Sequence, residues 1–236
     1  MKHVAIIPAR GGSKRLFKKN IRFFEGKPVI AYSIEAALQS NLFDEVMVST
    51  EDADIAEISI RYGAKVPFMR SAKAADDFAS TTDVILEVLD MYQALGLFFD
   101  MVTCIYSTAP FVTPQKLRTS FGIMKNKGFD SIFTVVAFSY PVQRGLEIHD
   151  GKMRMIYPKY KNIRSQDLST IYHDAGQFYI SKVDSFRKSH SFWGDNTGGI
   201  ILSELEVQDL DTETDWILAE MKYRLMRENE ATKNYI

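Results

Sequence analysis

Cysteine is nearly missing: Cys104 stands alone in 236 residues. No intramolecular disulfide can form, and nothing points to an oxidising compartment. An excess of charge of one sign is missing as well. The 29 Lys and Arg stand against 30 Asp and Glu, a formal net charge of −1, which argues against a generic polyanion binder and against a nucleic-acid partner. No run approaches the roughly 18 apolar residues of a membrane span. The opening MKHVAIIPARGG has too short an apolar run, and no small-residue cleavage site, for a signal peptide. The expectation is a soluble, cytoplasmic protein with no membrane attachment. The histidines, His3, His149, His173 and His190, show no metal-ligand spacing. Neither GxxxxGK[ST] nor GxGxxG occurs, which disfavours a kinase-type P-loop and an ordinary dinucleotide fingerprint. Internal repeats, low-complexity tracts and interdomain linkers are missing too, so residues 1–236 read as one domain.

What is present is an apolar fraction of 46%, too high for a disordered chain and, at this length, able to bury about 70–75% of the unfolded surface. Short apolar runs alternate with amphipathic stretches. Residues 3–8 (HVAIIP), 45–49 (EVMVS), 66–69, 101–106 (MVTCIY) and 131–138 read as strands. Residues 29–39, 53–62, 81–95 and 114–127 carry helical spacing, with Gly63 and Gly128 as stops. Strands separated by helices of this length predict an α/β fold with a mostly parallel, doubly wound sheet. From 140 to about 170 the rhythm breaks: GLEIHDGKMRMIYP predicts a hairpin turning at Asp150-Gly151. This segment reads as an insertion at a sheet edge, which a second subunit would cover. Strands at 176–181 and 200–207 and a closing helix at 212–226 complete the pattern.

Two segments could carry chemistry. Between Arg10 and Arg22 six of thirteen residues are basic: Arg10, Lys14, Arg15, Lys18, Lys19 and Arg22. The segment leaves the C-terminal end of the first strand, where open α/β sheets bind ligands, and Gly11 and Gly12 would let backbone N–H groups approach an anion. A phosphate-binding role is favoured over a merely solvated loop. The second segment is acidic, from Glu204 to Asp215. Asp209 and Asp211 alternate with Leu210, so an extended backbone turns both carboxylates to one side, as a hard divalent cation requires. Equally, Asp211 or Thr212 could cap the last helix, with Asp215 closing a capping box. Spacing leaves both open. Cys104, in an apolar strand, reads as core rather than as a nucleophile, and the aromatics, Trp193 and Trp216 included, are too scattered for a base-stacking platform.

IIPARGGSKRLFKKNI at residues 6–21 closely resembles the N-terminal signature of the CMP-sugar synthetases that activate 2-keto acid sugars, the CMP-sialic acid synthetase (acylneuraminate cytidylyltransferase) family. The resemblance extends through EVMVST, AADDFASTTDVI, IYSTAPF, RSQDL and DLDTETDW, over nearly the whole chain. DAGQFY stands where sialic acid synthetases usually show NGAIYI, and resembles the branch acting on pseudaminic acid in bacterial surface glycosylation. Phe17 stands where a proline is common, and Tyr106-Ser107 where sialic acid enzymes carry Gln-Pro.

The resemblance implies a Rossmann-like nucleotidyltransferase domain with a small dimerisation insert, a homodimer, CTP and a nonulosonic acid as substrates, and Mg²⁺ or Mn²⁺ as cofactor. It implies a nucleotide site made of Ala9, Arg10, Gly11, Gly12, Ser13, Lys14, Lys19, Asn20, Arg70, Asp77 and Ser80. Asp209 and Asp211 fall on its metal-binding aspartates. Tyr106, Gln166, Asp174, Gln177 and Tyr179 fall on the sugar side. Arg10, Lys19 and Asp211 are the expected catalytic residues, transferring CMP to the anomeric hydroxyl with release of pyrophosphate. The rivals are the same chemistry on N-acetylneuraminic or legionaminic acid, and a non-catalytic nucleotide- or sugar-binding regulator on the same fold.

Overall fold

The computed structural model describes residues 1–13, 15–76 and 78–233. Its elements in chain order are β1 (His3–Pro8), β2 (Phe23–Phe24), β3 (Lys27–Pro28), α1 (Val29–Ser40), β4 (Glu45–Ser49), α2 (Ala53–Arg61), α3 (Ala72–Ala75), α4 (Thr81–Ala94), β5 (Met101–Ile105), α5 (Pro114–Lys127), β6 (Ser131–Ala137), β7 (Leu146–His149), β8 (Lys152–Met155), β9 (Tyr172–Lys182), α6 (Val183–Ser189), β10 (Thr197–Leu202) and α7 (Glu213–Lys233). The central sheet has the order β10-β6-β9-β5-β1-β4. β1 runs parallel to β4 and β5, and β10 runs parallel to β6, while β9 is antiparallel to both its neighbours. Five strands therefore share one direction, as the alternation of strands and helices predicts.

Continuous apolar runs make strands buried on both faces, and β1 is the clearest case. Ala5 and Ile7 join the core beneath α1, α2 and α5, while Val4 and Ile6 join the core beneath α4 and α6. Local signals set the helix limits. Asp52 caps α2, Ser80 and Asp83 form a capping box on α4, and Thr113 with Pro114 opens α5, which stops at Gly128 (φ 70°). A third core is built by Leu16, Phe24, Val29, Tyr32, Phe111, Leu210 and Trp216. It packs the basic loop after β1 against the start of α7.

Four expectations change. The strand expected at 66–69 is reduced to one bridge between Met47 and Lys65. Lys65 donates to Val46 O, and Pro67, lacking an N–H, cannot make the next bond of the ladder. The strand expected at 200–207 is β10, which ends at Leu202 because a Ser203–Glu206 capping box turns the chain. The strand expected at 176–181 begins earlier, at Tyr172, and is irregular. Its pairing with β6 jumps from Phe133–Tyr179 to Val135–Asp174, leaving extra residues on β9 around Gly176 (φ 61°). Finally, the insertion is not at a sheet edge. It joins β6 to β9, both interior strands. Its hairpin β7–β8 turns at Asp150 (φ 51°) and Gly151 (φ 73°), the left-handed pair that an Asp-Gly turn supplies. Among the described residues no helix is long and apolar enough to cross a membrane.

His3, buried in β1, contacts Thr103 Oγ1 through Nε2 at 2.7 Å and packs against Phe43 and Phe121. Burial lowers its pKa to about 4, opposed by the charge of Asp44. The unfolded chain, with an ordinary imidazole, therefore binds more protons between about pH 4 and 6.5, so this contribution is complete above pH 6.5 and is lost as pH falls to 4. Comparing urea unfolding of His3→Gln with the parent from pH 7 to 4 should remove a loss of roughly 3 kcal/mol from the parent's profile. Parallel profiles would refute the assignment.

Candidate active site

The strand order reverses between β5 and β1, and the loops leaving their C-terminal ends diverge to form a cleft of about 510 Å³. Arg10, Ser13, Arg15, Lys19 and Asn20 line it from the β1 loop, Tyr106, Ser107 and Thr108 from the β5 loop, and Arg70, Asp76 and Thr81 from the segment around α3. Among the described residues lining it, four cations face one acid, so the cleft suits a polyanion in a chain with almost no net charge.

Arg70, Arg15 and Lys19 are fixed by side-chain contacts from elsewhere in the chain, and Arg10 through its backbone carbonyl. Arg70 is buried: its Nε donates to Ser49 Oγ at 3.0 Å and its Nη2 to Ser49 O at 2.5 Å. Burial lowers its pKa, and the negative charge of Glu51 opposes that shift. Asn20, also buried, donates to Arg10 O at 2.7 Å and accepts from Ser107 Oγ at 2.8 Å, tying the β1 loop to the β5 loop. Arg15 reaches Asp211 at 2.6 Å and Lys19 reaches the same carboxylate at 3.2 Å. Arg22 forms a two-pronged pair with Glu213, 2.6 and 2.8 Å, while lying 4.5 Å over the Trp216 ring. The basic loop is therefore clamped to the N-terminus of α7.

This clamp separates the two readings of the acidic segment. Thr212 caps α7, its Oγ1 accepting from Asp215 N at 3.2 Å while Asp215 accepts from Thr212 N at 2.8 Å. Asp211 is released from capping and turned to the cations. Leu210 is buried in the third core, whereas Asp209 is exposed and Asp211 half-buried, so the alternation places both carboxylates away from the core. Among the described residues no three His, Cys, Asp or Glu side chains gather as a metal cluster. Two hard oxygen donors nonetheless fit Mg²⁺, which takes one or two carboxylates and completes its shell with water and phosphate.

The expected site residues divide clearly. Arg10, Ser13, Lys19, Asn20, Arg70 and Tyr106 line the cleft. Ala9 is core, its N–H bonded to Ser49 O at 2.9 Å. The expected Gly11 and Gly12 cradle is not formed by Gly11: its N–H donates to Glu51 Oε1 at 2.6 Å, and a Cβ there would lie 2.5 Å from Asp52 Oδ2. Gly12 is exposed, with room for a side chain. Ser80 is the cap of α4, next to the cleft residue Thr81. Lys14 and Asp77 lie outside the described residues. Of the residues expected on the sugar side, the Tyr106 ring meets Tyr179 edge-on at 5.5 Å, and Tyr179 donates to Asp174 Oδ2 at 2.5 Å. Burial pushes both tyrosine hydroxyls up, Tyr179 the further. Gln177 is buried behind this wall, donating to Glu206 O at 2.5 Å, and Gln166 is exposed on the insert, outside the cleft lining. Cys104 is buried, its thiol pushed up by burial, as expected of a core residue. Arg15, Glu51 and Thr81 were not singled out from sequence. Only Arg15 gave a signal, as one of the six loop cations.

A doubly wound sheet whose switch-point cleft gathers cations is suited to a phosphate-bearing ligand such as a nucleotide. The chain belongs to the cytidylyltransferase family, whose description it matches over residues 4–235. It is 37% identical over 230 residues to a pseudaminic acid cytidylyltransferase of Campylobacter jejuni, covering 97% of this chain and 99% of that one. It is 35% identical over 235 residues to a CMP-N,N'-diacetyllegionaminic acid synthase of Legionella pneumophila, covering 97% and 99%. Its fold is similar to that of a CMP:2-keto-3-deoxy-manno-octonic acid synthetase solved with CTP, with a TM-score of 0.69, 19% identity, and coverage of 97% and 100%.

The division of labour at the start of α7 is testable by paired variants. Thr212→Ala should cost about 1 kcal/mol in urea unfolding and leave turnover within twofold, roughly the cost of a lost cap. Asp211→Asn should do the reverse, removing most turnover with little change in Tm. If Asp211→Asn lowered only Tm, the carboxylate would be structural.

Proposed function

We propose that this chain transfers CMP from CTP to the anomeric hydroxyl of a nonulosonic acid, with pseudaminic acid as the acceptor and pyrophosphate as the second product. The observation that carries the reading is the convergence of Arg10, Arg15, Lys19 and Arg70 on one cleft, with Asp211 held against it by Arg15 and Lys19. Near-complete alignment with a pseudaminic acid cytidylyltransferase supports the choice of substrates. The similar coverage of a legionaminic acid synthase makes that sugar the second reading.

In the reaction the anomeric oxygen forms a bond to the α-phosphorus, the bond from that phosphorus to the bridging oxygen breaks, and the hydroxyl proton is lost. Nucleotidyl transfer needs alignment and charge neutralisation more than covalent help. Arg10 and Arg70 would hold the nucleotide end of the triphosphate. Arg15 and Lys19, which satisfy Asp211 in this structure, would move to phosphate oxygens and free the Asp211 carboxylate. Asp209 and Asp211 would then hold Mg²⁺. A divalent cation there supplies neutralisation of phosphate charge and acidifies a bound hydroxyl. Tyr106, backed by Tyr179 and Asp174, would form the wall against the acceptor sugar.

The insert is assigned to a second copy of this chain. Leu146, Ile148 and Met153 are exposed on the hairpin, and Ile148 pairs with Met153 across it, making a small apolar face. Sedimentation at micromolar concentration should show a dimer that Ile148→Lys converts to monomer; a monomeric parent would refute the assignment.

Pyrophosphate release, assayed with four nucleoside triphosphates against pseudaminic, legionaminic and N-acetylneuraminic acids, tests the reaction. Release is expected with CTP and pseudaminic acid. Preference for legionaminic acid would establish the second reading, and release with none would leave a binding protein. Lys19→Ala should cut turnover by about 100-fold or more without a matching fall in Tm.

A further inference from the structure

Glu51 stands directly after β4 and its following threonine, behind the β1 loop rather than in the cleft. One carboxylate oxygen, Oε1, accepts from Gly11 N at 2.6 Å. The other, Oε2, is buried without a hydrogen-bond partner and lies 3.9 Å from Arg70 Nη1. The remaining polar atoms of that guanidinium edge are committed: Nε and Nη2 both bond Ser49, leaving Nη1 as the atom turned toward Glu51. The charge of Arg10 acts against Arg70, and that of Glu51 acts for it. Gly11 itself has no room to move backward, because a Cβ there would already strike Asp52.

We infer that Glu51 is a positioning residue for the nucleotide end of the cleft. Its carboxylate holds the backbone of the phosphate-facing loop with one oxygen and the buried Arg70 guanidinium with the other, so that Arg10 and Arg70 keep one spacing before the triphosphate arrives. This rests on the reading that CTP binds at the β1 loop. Preorganisation of this kind lowers the cost of ordering the loop on binding, and it acts on the nucleotide without touching the acceptor sugar. The opposite possibility, a carboxylate that merely competes with phosphate for the Gly11 amide, is disfavoured by position. Glu51 is not among the residues lining the cleft, and its second oxygen is shut off from solvent.

The two possibilities give opposite signs. With positioning, Glu51→Ala should raise KM for CTP about tenfold, the scale of one lost hydrogen bond to a charged group, with kcat and the KM for the acid sugar within twofold. Glu51→Gln, whose amide oxygen can still accept from Gly11, should recover part of that loss. With competition, Glu51→Ala would lower KM for CTP, and that result overturns the inference. A rise in both substrates' KM that tracks a fall in Tm would overturn it as well, by making Glu51 a general structural residue. Hydrogen exchange at the Gly11 amide supplies a readout free of turnover: slow in the parent, fast in Glu51→Ala, slow again in Glu51→Gln. If the parent releases no pyrophosphate from CTP, the functional reading fails. The exchange rates then still decide whether Glu51 holds the loop, and unchanged exchange in Glu51→Ala refutes that.

Discussion

Arg15 and Lys19 both end on the carboxylate of Asp211, and the working part of the molecule depends on that meeting. It joins the loop after the first strand to the segment before the last helix, across nearly the whole length of the chain. Without it Arg15 and Lys19 would lose their carboxylate, and the Leu16–Leu210–Trp216 core and the Arg22–Glu213 pair would be left to tie the loop to the start of α7. Half-buried ion pairs contribute little net stability, because desolvation offsets most of the attraction. The value of this one lies in geometry. It sets carboxylate and cations face to face at 2.6 and 3.2 Å, and under the proposed reading each charge would exchange this partner for a phosphate oxygen or a divalent cation. The Arg22–Glu213 pair, stacked on Trp216, secures the same junction one turn further along α7.

The same principle organises the rest of the loop. Lys18 is paired with Asp54 at 2.6 Å, and Glu51 serves both Gly11 and Arg70. A net charge of −1 is therefore compatible with cations concentrated in one loop and paired to acids from distant segments. It says nothing against a small, highly charged ligand. Underneath, β1 supplies rigidity: a strand buried on both faces and paired on both sides fixes where the loop leaves the sheet, and Asn20 fixes where it meets the loop after β5.

How far this was legible in the sequence follows from the range of each interaction. HVAIIP declares a buried strand, Asp150-Gly151 a hairpin turn, and Gly128 a helix stop, because each signal is local. GQFYIS declares a strand but neither its direction nor its start at Tyr172, and nothing in it shows the break in pairing around Gly176. Pro67 could have been read as the end of a ladder, but only with the partner strand known. At the site, the six loop cations and the Asp-Leu-Asp alternation were visible. Their contact, 192 and 196 residues apart, was not. Gly11 is the instructive case. The paired glycines suggest close approach of an anion, whereas the structure gives Gly11 a different reason, the pressure of Asp52 behind it. Glu51 left no local trace at all, since its partners lie in the loop before it and the segment after it.

The irregular strand β9 links the two ends of the cleft. Tyr179 and Asp174 stand behind the Tyr106 wall, while Gln177, between them in sequence, donates to Glu206 O. Glu206 is also held by Lys116 at 2.9 Å, and Lys222 holds the carbonyls of Glu204 and Val207, so this turn is tethered from three elements. Asp209 and Asp211 follow the turn directly. A buried carbonyl that loses its donor costs more than an exposed one, so the residue at 177 bears on where the carboxylates stand as well as on the strand that backs Tyr106. The coupling runs through DAGQFY, which, with Phe17 and Tyr106-Ser107, is where this chain departs from the sialic acid pattern. A substitution at this point of β9 must therefore keep the donor that holds the acidic segment in place.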